Sequence, residues 1–297
     1  MRHKKVFVWF FLVVLVTLIM AQLTLYMSSG KSRFKAVRAY QDVQYQVSLG
    51  ARVPGSQPHL QTILWITEEL KKHGWQVETQ EDLQLGQKVK NVIAKQGSGS
   101  NWFILGAHYD SRRFADKDPN PEKRLEPVPG ANDGASGVAV LLELSRTLPQ
   151  DISIEIWLVF FDAEDQGNIV GWDWILGSKS FAKTLDRHPS GVVIIDMIGD
   201  RDLNIYMEKN SDPIMTTEIW NQAKMLGYSQ YFIPEYKYSI LDDHIPFIER
   251  GIPAVDIIDF DYPYWHTTSD TVDKVSAESL KIVGDTIAEW IKSKTSE

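Results

Sequence analysis

The chain has no cysteine in its 297 residues. That excludes a disulfide framework and any metal held by thiolates. Positive charge is scarce outside the N-terminus. Residues 1–38 carry seven basic side chains (Arg2, Lys4, Lys5, Lys31, Arg33, Lys35 and Arg38) and no acid, leaving 24 basic against 39 acidic groups beyond them. A body that acidic repels nucleic acid, so no nucleic-acid partner is expected. There is no internal repeat and no low-complexity tract.

A long apolar run is present, however. Val6 to Met27 is apolar apart from Thr17, Gln22 and Thr24, and holds no charge. About 20 helical residues cross the roughly 30 Å hydrocarbon layer, whereas a cleaved leader has an apolar core of about 7–15 residues and a small-x-small cleavage site. Ala21 lacks a small partner at that spacing, and Phe10 to Val16 is apolar on every helical face. The expectation is an uncleaved, single-pass signal anchor over residues 1–30 and a juxtamembrane helix over 31–50. Residues 51–297 follow as one catalytic domain. Basic residues flank the run on both sides, so the positive-inside rule is split. The domain is placed on the extracytoplasmic side, because an N-terminal anchor before one large domain is the simple export arrangement.

Beyond the anchor, short apolar runs alternate with helical patterns. Strands are expected near Val77, at Asn91–Lys95, Trp102–Ala107, Ile154–Phe161, Val192–Ile195 and Ala254–Ile258. Helices are expected at His59–His73, Gly137–Leu148, Pro213–Leu226, Ile245–Arg250 and Ser276–Ile291. That order predicts an α/β fold with a mixed, mostly parallel central sheet and helices on both faces.

Five stretches place metal-type donors where such a sheet gathers ligands, outside the carboxyl ends of its strands. They contain His108, Asp133, Glu164 with Asp165, Asp196, and His266. Oxygen and imidazole donors without thiolate suit Zn²⁺ in an open, catalytic site. Each also has a plainer reading. His108 and His266 can be packed structural residues, Asp133 and Asp196 turn residues, Asp162–Asp165 a solvated acidic turn, and Asp242 a helix cap. Together, in this order, they favour a site. Adjacent carboxylates at a strand end can divide labour, one on a metal and its neighbour moving a proton.

The motifs Ala51-Arg52-Val53-Pro54-Gly55-Ser56, His108-Tyr109-Asp110-Ser111, Gly130 to Gly137, Phe160 to Asp165, Asp196, Asp242 to Pro246 and Trp265-His266-Thr267 resemble the zinc-dependent exopeptidase superfamily. Within it they resemble most the animal-type glutaminyl cyclases and their bacterial members. The resemblance implies one zinc on Asp133, Asp165 and His266, with Glu164 as general acid/base. Asp196 and Asp242 would share a hydrogen-bond network with Glu164. Trp265 and one of Trp172 or Trp174 would wall the substrate pocket, and the peptide after Asp133 would be strained, in trans or in cis. Two departures stand out: Glu164-Asp165 replaces the common Glu-Glu, and residues 166–176 follow no common pattern.

The implied reaction converts the N-terminal glutamine of peptides or proteins to pyroglutamate with loss of ammonia. The alternative is an aminopeptidase with a second zinc on His108 and Asp196 and Asp133 bridging. Three tryptophans around one small pocket favour the cyclase. A third reading, a membrane-anchored binding protein that has lost catalysis, is disfavoured by the intact Glu164.

Overall fold

The computed structural model describes residues 33–295. The apolar segment assigned to a membrane anchor lies outside them. Among the described residues no helix is long and apolar enough to cross a membrane.

Six strands form the central sheet: β1 (Gln76–Gln84), β2 (Gln87–Gln96), β3 (Trp102–His108), β4 (Glu155–Phe161), β5 (Gly191–Asp196) and β8 (Ala254–Ile258). Their spatial order is β1-β2-β4-β3-β5-β8. β1 and β2 join antiparallel, as do β2 and β4, while β4, β3, β5 and β8 run parallel. The parallel strands read as continuous apolar runs because both of their faces are covered. β1 is the half-exposed edge and is rich in Gln and Glu, which discourages pairing with another chain. Two short strands, β6 (Ile205–Met207) and β7 (Phe232–Tyr236), pair separately.

Alternate strand residues feed two cores. Leu105, Leu158, Ile195 and Ile257 face α1 (Ala36–Leu49), α2 (Gln57–Lys72), α3 (Ala135–Thr147), α5 (Pro213–Met225) and α7 (Ala277–Ser293). Ile104, Val159 and Ile194 face Phe181 of α4 (Leu176–Thr184) and Phe247 of α6 (Ile245–Ile248). Helices therefore cover both faces, as the alternation predicts. α3 is buried from Ala135 to Ser145, hence its apolar character all round.

The helix expected over residues 31–50 is α1, and it belongs to the same compact unit as the rest, which begins at Phe34. Ala39, Asp42, Val43 and Gln46 are its buried face. Arg38 donates to the buried Glu143 of α3 at 2.6 and 2.9 Å. Unforeseen elements are the short pair β6 and β7, α4, which starts from a left-handed Ile175 without a side-chain cap, and the full β1–β2 hairpin. The hairpin turns through Leu85 and Gly86, both at positive φ. Leucine is an unusual residue for that turn.

Candidate active site

The carboxyl ends of the parallel strands place the predicted donors together. His108 closes β3, Asp196 closes β5, and Asp162–Asp165 follow β4 directly. Asp133 sits in the loop before α3, and His266 in the loop after β8. Two glycines allow the close approach. A Cβ on Gly137 would lie 2.1 Å from the Ile195 carbonyl oxygen, and one on Gly134 would lie 2.5 Å from His108 Nε2. The Asp133–Gly134 peptide is cis. Ala163, Met197 and His266 all adopt left-handed backbone, with φ of 52°, 46° and 57°. For non-glycine residues this conformation concentrates at functional sites.

Two three-residue donor groups result, and Asp133 belongs to both. In the first, His266 Nε2 lies 2.8 Å from Asp165 Oδ1 and 3.9 Å from Asp133 Oδ2. In the second, His108 Nε2 lies 3.1 Å from both Asp133 Oδ1 and Asp196 Oδ1. The Oδ2 atoms of Asp133 and Asp165 are buried without a hydrogen-bond partner. Unpartnered buried carboxylate oxygens are costly. Two carboxylates and one imidazole converging in this way fit a divalent cation such as zinc.

Buried side chains brace the donors. Asp270 accepts the backbone N–H groups of Asn132 (2.9 Å) and Asp133 (3.2 Å), and the Tyr262 hydroxyl donates to it as well. Asp110 faces His108 Nδ1 at 3.3 Å and accepts the Glu164 amide at 3.0 Å. Asp116 stands 3.3 Å from His266 Nδ1. Arg112 bonds both Asp116 and the Asp165 backbone carbonyl, at 2.6 and 3.0 Å. Outer partners of this kind set the orientation of metal-ligating groups. Arg112 thus pins the backbone of the shorter acid at position 165.

The electrostatics follow from burial. Burial pushes the Glu164 carboxyl well above the usual carboxylate range; His108 opposes this, while Asp242, Asp165 and Asp243 reinforce it. Burial also raises Asp196, to about 7. For His266 burial works downward, but Asp165 and Asp116 overcome it and hold the imidazole at about 9.

A pocket of about 250 Å³ opens onto the first donor group. Glu164, Asp196 and Asp242 line it, along with Trp174, Phe260 and Trp265. Trp265 stacks on His266 at 3.7 Å between ring centres, and Trp174 lies nearly parallel to it at 6.0 Å. Of the tryptophans singled out in the sequence, Trp172 is not part of this wall. It packs against Val89, Ala163 and Leu176 and lines a separate groove. The loop from Gly167 to Trp174 carries only the second tryptophan back to His266.

Sequence reasoning missed Asp116, Asp270 and Arg112, and took Asp110 as a motif residue that could simply cap a turn. Asp242-Asp243-His244, readable as a further ligand set, instead joins a buried cluster that sequence reasoning did not complete: His244 Nε2 lies 3.2 Å from Glu208 Oε2 and His244 Nδ1 3.9 Å from Asp256 Oδ2. One signal was available: Asp256 interrupts the otherwise apolar β8.

Comparison with known proteins meets this geometry. The model of peptidase family M28 matches residues 91–291. The chain belongs to peptidase family M28. Among solved M28-like folds, a glutaminyl cyclase of Porphyromonas gingivalis superposes with a TM-score of 0.84 at 32% identity, covering 89% of this chain and 100% of that one. A Zn-dependent exopeptidase of Parabacteroides distasonis gives 0.83 at 34% identity, covering 88% and 98%. The glutaminyl-peptide cyclotransferase of the snake Boiga irregularis is 27% identical over 219 residues, which are 60% of this chain and 58% of that protein. The chain thus spans only 58% of the length of the Boiga irregularis protein, and 62% of that of the Bos taurus glutaminyl-peptide cyclotransferase.

Proposed function

We propose that this M28 member is a zinc-dependent glutaminyl-peptide cyclotransferase acting on the N-terminal glutamine of peptides or proteins. The observation that carries the reading is the small aromatic pocket, in which Glu164 faces the Asp133–Asp165–His266 group. Its volume suits one side chain rather than an extended peptide.

Asp133, Asp165 and His266 would hold the zinc, which when bound supplies Lewis-acid polarisation of a carbonyl oxygen. The chain's own residues do the rest. Trp174, Trp265 and Phe260 hold the glutaminyl side chain folded back on its α-amine, and this orientation provides much of the rate. The amine nitrogen attacks the side-chain amide carbon, the C–N bond to the leaving amide nitrogen breaks, and ammonia departs. Glu164 takes the proton from the amine and delivers it to the leaving nitrogen. Its raised pKa suits a group that both accepts and donates near neutral pH. Asp196 and Asp242 line the same pocket and set the field around it.

A second reading has its own support. Because Asp133 also belongs to the His108–Asp196 group, the frame has donors for a two-metal aminopeptidase. One experiment separates the two. The full chain in detergent, loaded with zinc, is given a glutaminyl dipeptide amide and, separately, a leucyl p-nitroanilide, and products are weighed by mass spectrometry. Loss of ammonia without chain cleavage supports the cyclase; released nitroaniline without ring closure assigns the aminopeptidase instead.

The length of the apolar segment Val6–Met27 supports a single-pass anchor; the extracytoplasmic side is proposed only from the simple export arrangement of an anchor before one large domain. Protection of the domain from added protease in intact cells stripped of any outer membrane and wall would refute that placement.

A further inference from the structure

A second concavity, of about 1000 Å³, runs between the β1–β2 turn, the 112–125 loop and residues 168–170. Its charged lining is Lys88, Arg112, Arg113 and Arg124 against a single carboxylate, Asp116, which Arg112 already engages. The body of the chain is strongly acidic, and other lysines of β2 are neutralised: Lys90 by Glu81 and Lys95 by Glu78, each at 2.6 Å. Lys88, Arg113 and Arg124 differ. Arg124 donates to the backbone carbonyl of Asp118, and the Arg113 guanidinium lies over the Trp172 ring at 5.7 Å. Among the described residues none of the three forms a direct ion pair, although Lys88 feels the Glu81 carboxylate that Lys90 engages. Arg113 Nε is buried with no hydrogen-bond partner.

Apolar groups left in water stand between these cations. Leu125 is 79% exposed and Val170 fully so. The residues that line this groove touch those that line the catalytic pocket. Arg112 lies 4.9 Å from the centre of the Trp174 ring, and Asp116 lies 3.3 Å from His266. A chain whose first residue occupies the pocket has this groove as its neighbouring trough. Cations without direct ion pairs, apolar contacts and a concave shape together define the complementary ligand.

We propose that this groove seats the substrate chain downstream of its N-terminal residue, and that it selects substrates whose downstream stretch is acidic with interspersed apolar side chains. The inference rests on peptide N-termini being the substrates of the pocket. Each exposed charge contact is weak, but three acting together are expected to change affinity by roughly tenfold.

The test uses the zinc-loaded full chain in detergent and its K88Q/R113Q/R124Q variant. Three ligands are compared: a glutaminyl dipeptide amide, a glutaminyl octapeptide with alternating Glu and Leu, and the same octapeptide with Gln for Glu. Binding of the octapeptides, labelled at the C-terminus, is read by fluorescence anisotropy, and cyclisation by ammonia release. The expected result is that the acidic octapeptide binds the native protein roughly tenfold tighter than its neutral counterpart. That preference should vanish in the triple variant and at 1 M salt. KM for the acidic peptide should rise in the variant at constant kcat, while the dipeptide is turned over as before. Equal affinity for the two octapeptides in the native protein overturns the proposal, and so does an equal loss on the dipeptide. Should nothing be cyclised while charge-selective binding persists, the cyclase reading fails and the groove assignment stands.

Discussion

Glu164 and its neighbour Asp165 share one strand end but are separable by experiment. Glu164→Gln keeps shape and hydrogen-bonding capacity while removing the titrating proton. Turnover is expected to fall by about 10²–10⁴, with zinc content by atomic emission unchanged. His266 tests the other half of the site. Free of metal, its imidazole keeps a proton up to about pH 9, and that proton must leave before Nε2 can ligate zinc. Apparent zinc affinity is therefore expected to rise with pH up to about 9. Competition against a chromophoric chelator across that range checks the sign; affinity independent of pH would remove His266 from the ligand set. The residues proposed to ligate or move protons were readable in the sequence because each acid or His ends a buried apolar run or sits in a loop beside one. Asp270, Asp116 and Arg112 were not. Their work is done across 137, 150 and 53 residues of separation for contacts to Asp133, His266 and Asp165, and no local pattern records such pairings.

At the scale of elements, α1 carries a prediction of its own. Its Arg38 reaches the buried Glu143, and Asp42 meets Arg146. A chain beginning at Ala51 strips these partners away, leaving Glu143 and Arg146 3.6 Å apart with Glu69 still on Arg146. It also uncovers the core that Ala39 and Val43 cover. Lost packing and weakened pairing together are expected to cost about 3–5 kcal/mol. A chain beginning at Phe34 retains both. Denaturant melts of the two should differ by that amount, and coincident midpoints would show that α1 is dispensable. Most strands were legible, since β3, β4, β5 and β8 are short apolar runs ending at polar loops. α4 and the hairpin turn were obscured because Ile175 and Leu85 adopt left-handed backbone that their residue types seldom take.

For the whole molecule, the proposed zinc would couple to the fold. Packing gathers the carboxylates of Asp133 and Asp165 beside the His266 imidazole, and a zinc ion that binds only this folded arrangement would stabilise it by mass action. Chelation by EDTA is expected to lower the thermal midpoint by on the order of 10 °C, with full recovery on adding zinc back. A midpoint indifferent to EDTA would mean that the ion contributes nothing to the fold.

Ala163, Met197 and His266 bear on how such an enzyme could be improved. Each holds a left-handed backbone beside the group that matters, and each conformation costs about 1–3 kcal/mol. A laboratory selection for heat tolerance alone would favour glycine at 163, where the strain is relieved at the loss of one methyl group and no ligand is touched; at 197 the buried methionine would leave a cavity that costs more than the strain. The loop carrying Glu164 would then gain freedom, and the trait discarded would be catalysis. Stability screens on this frame should therefore be run with activity as a second gate.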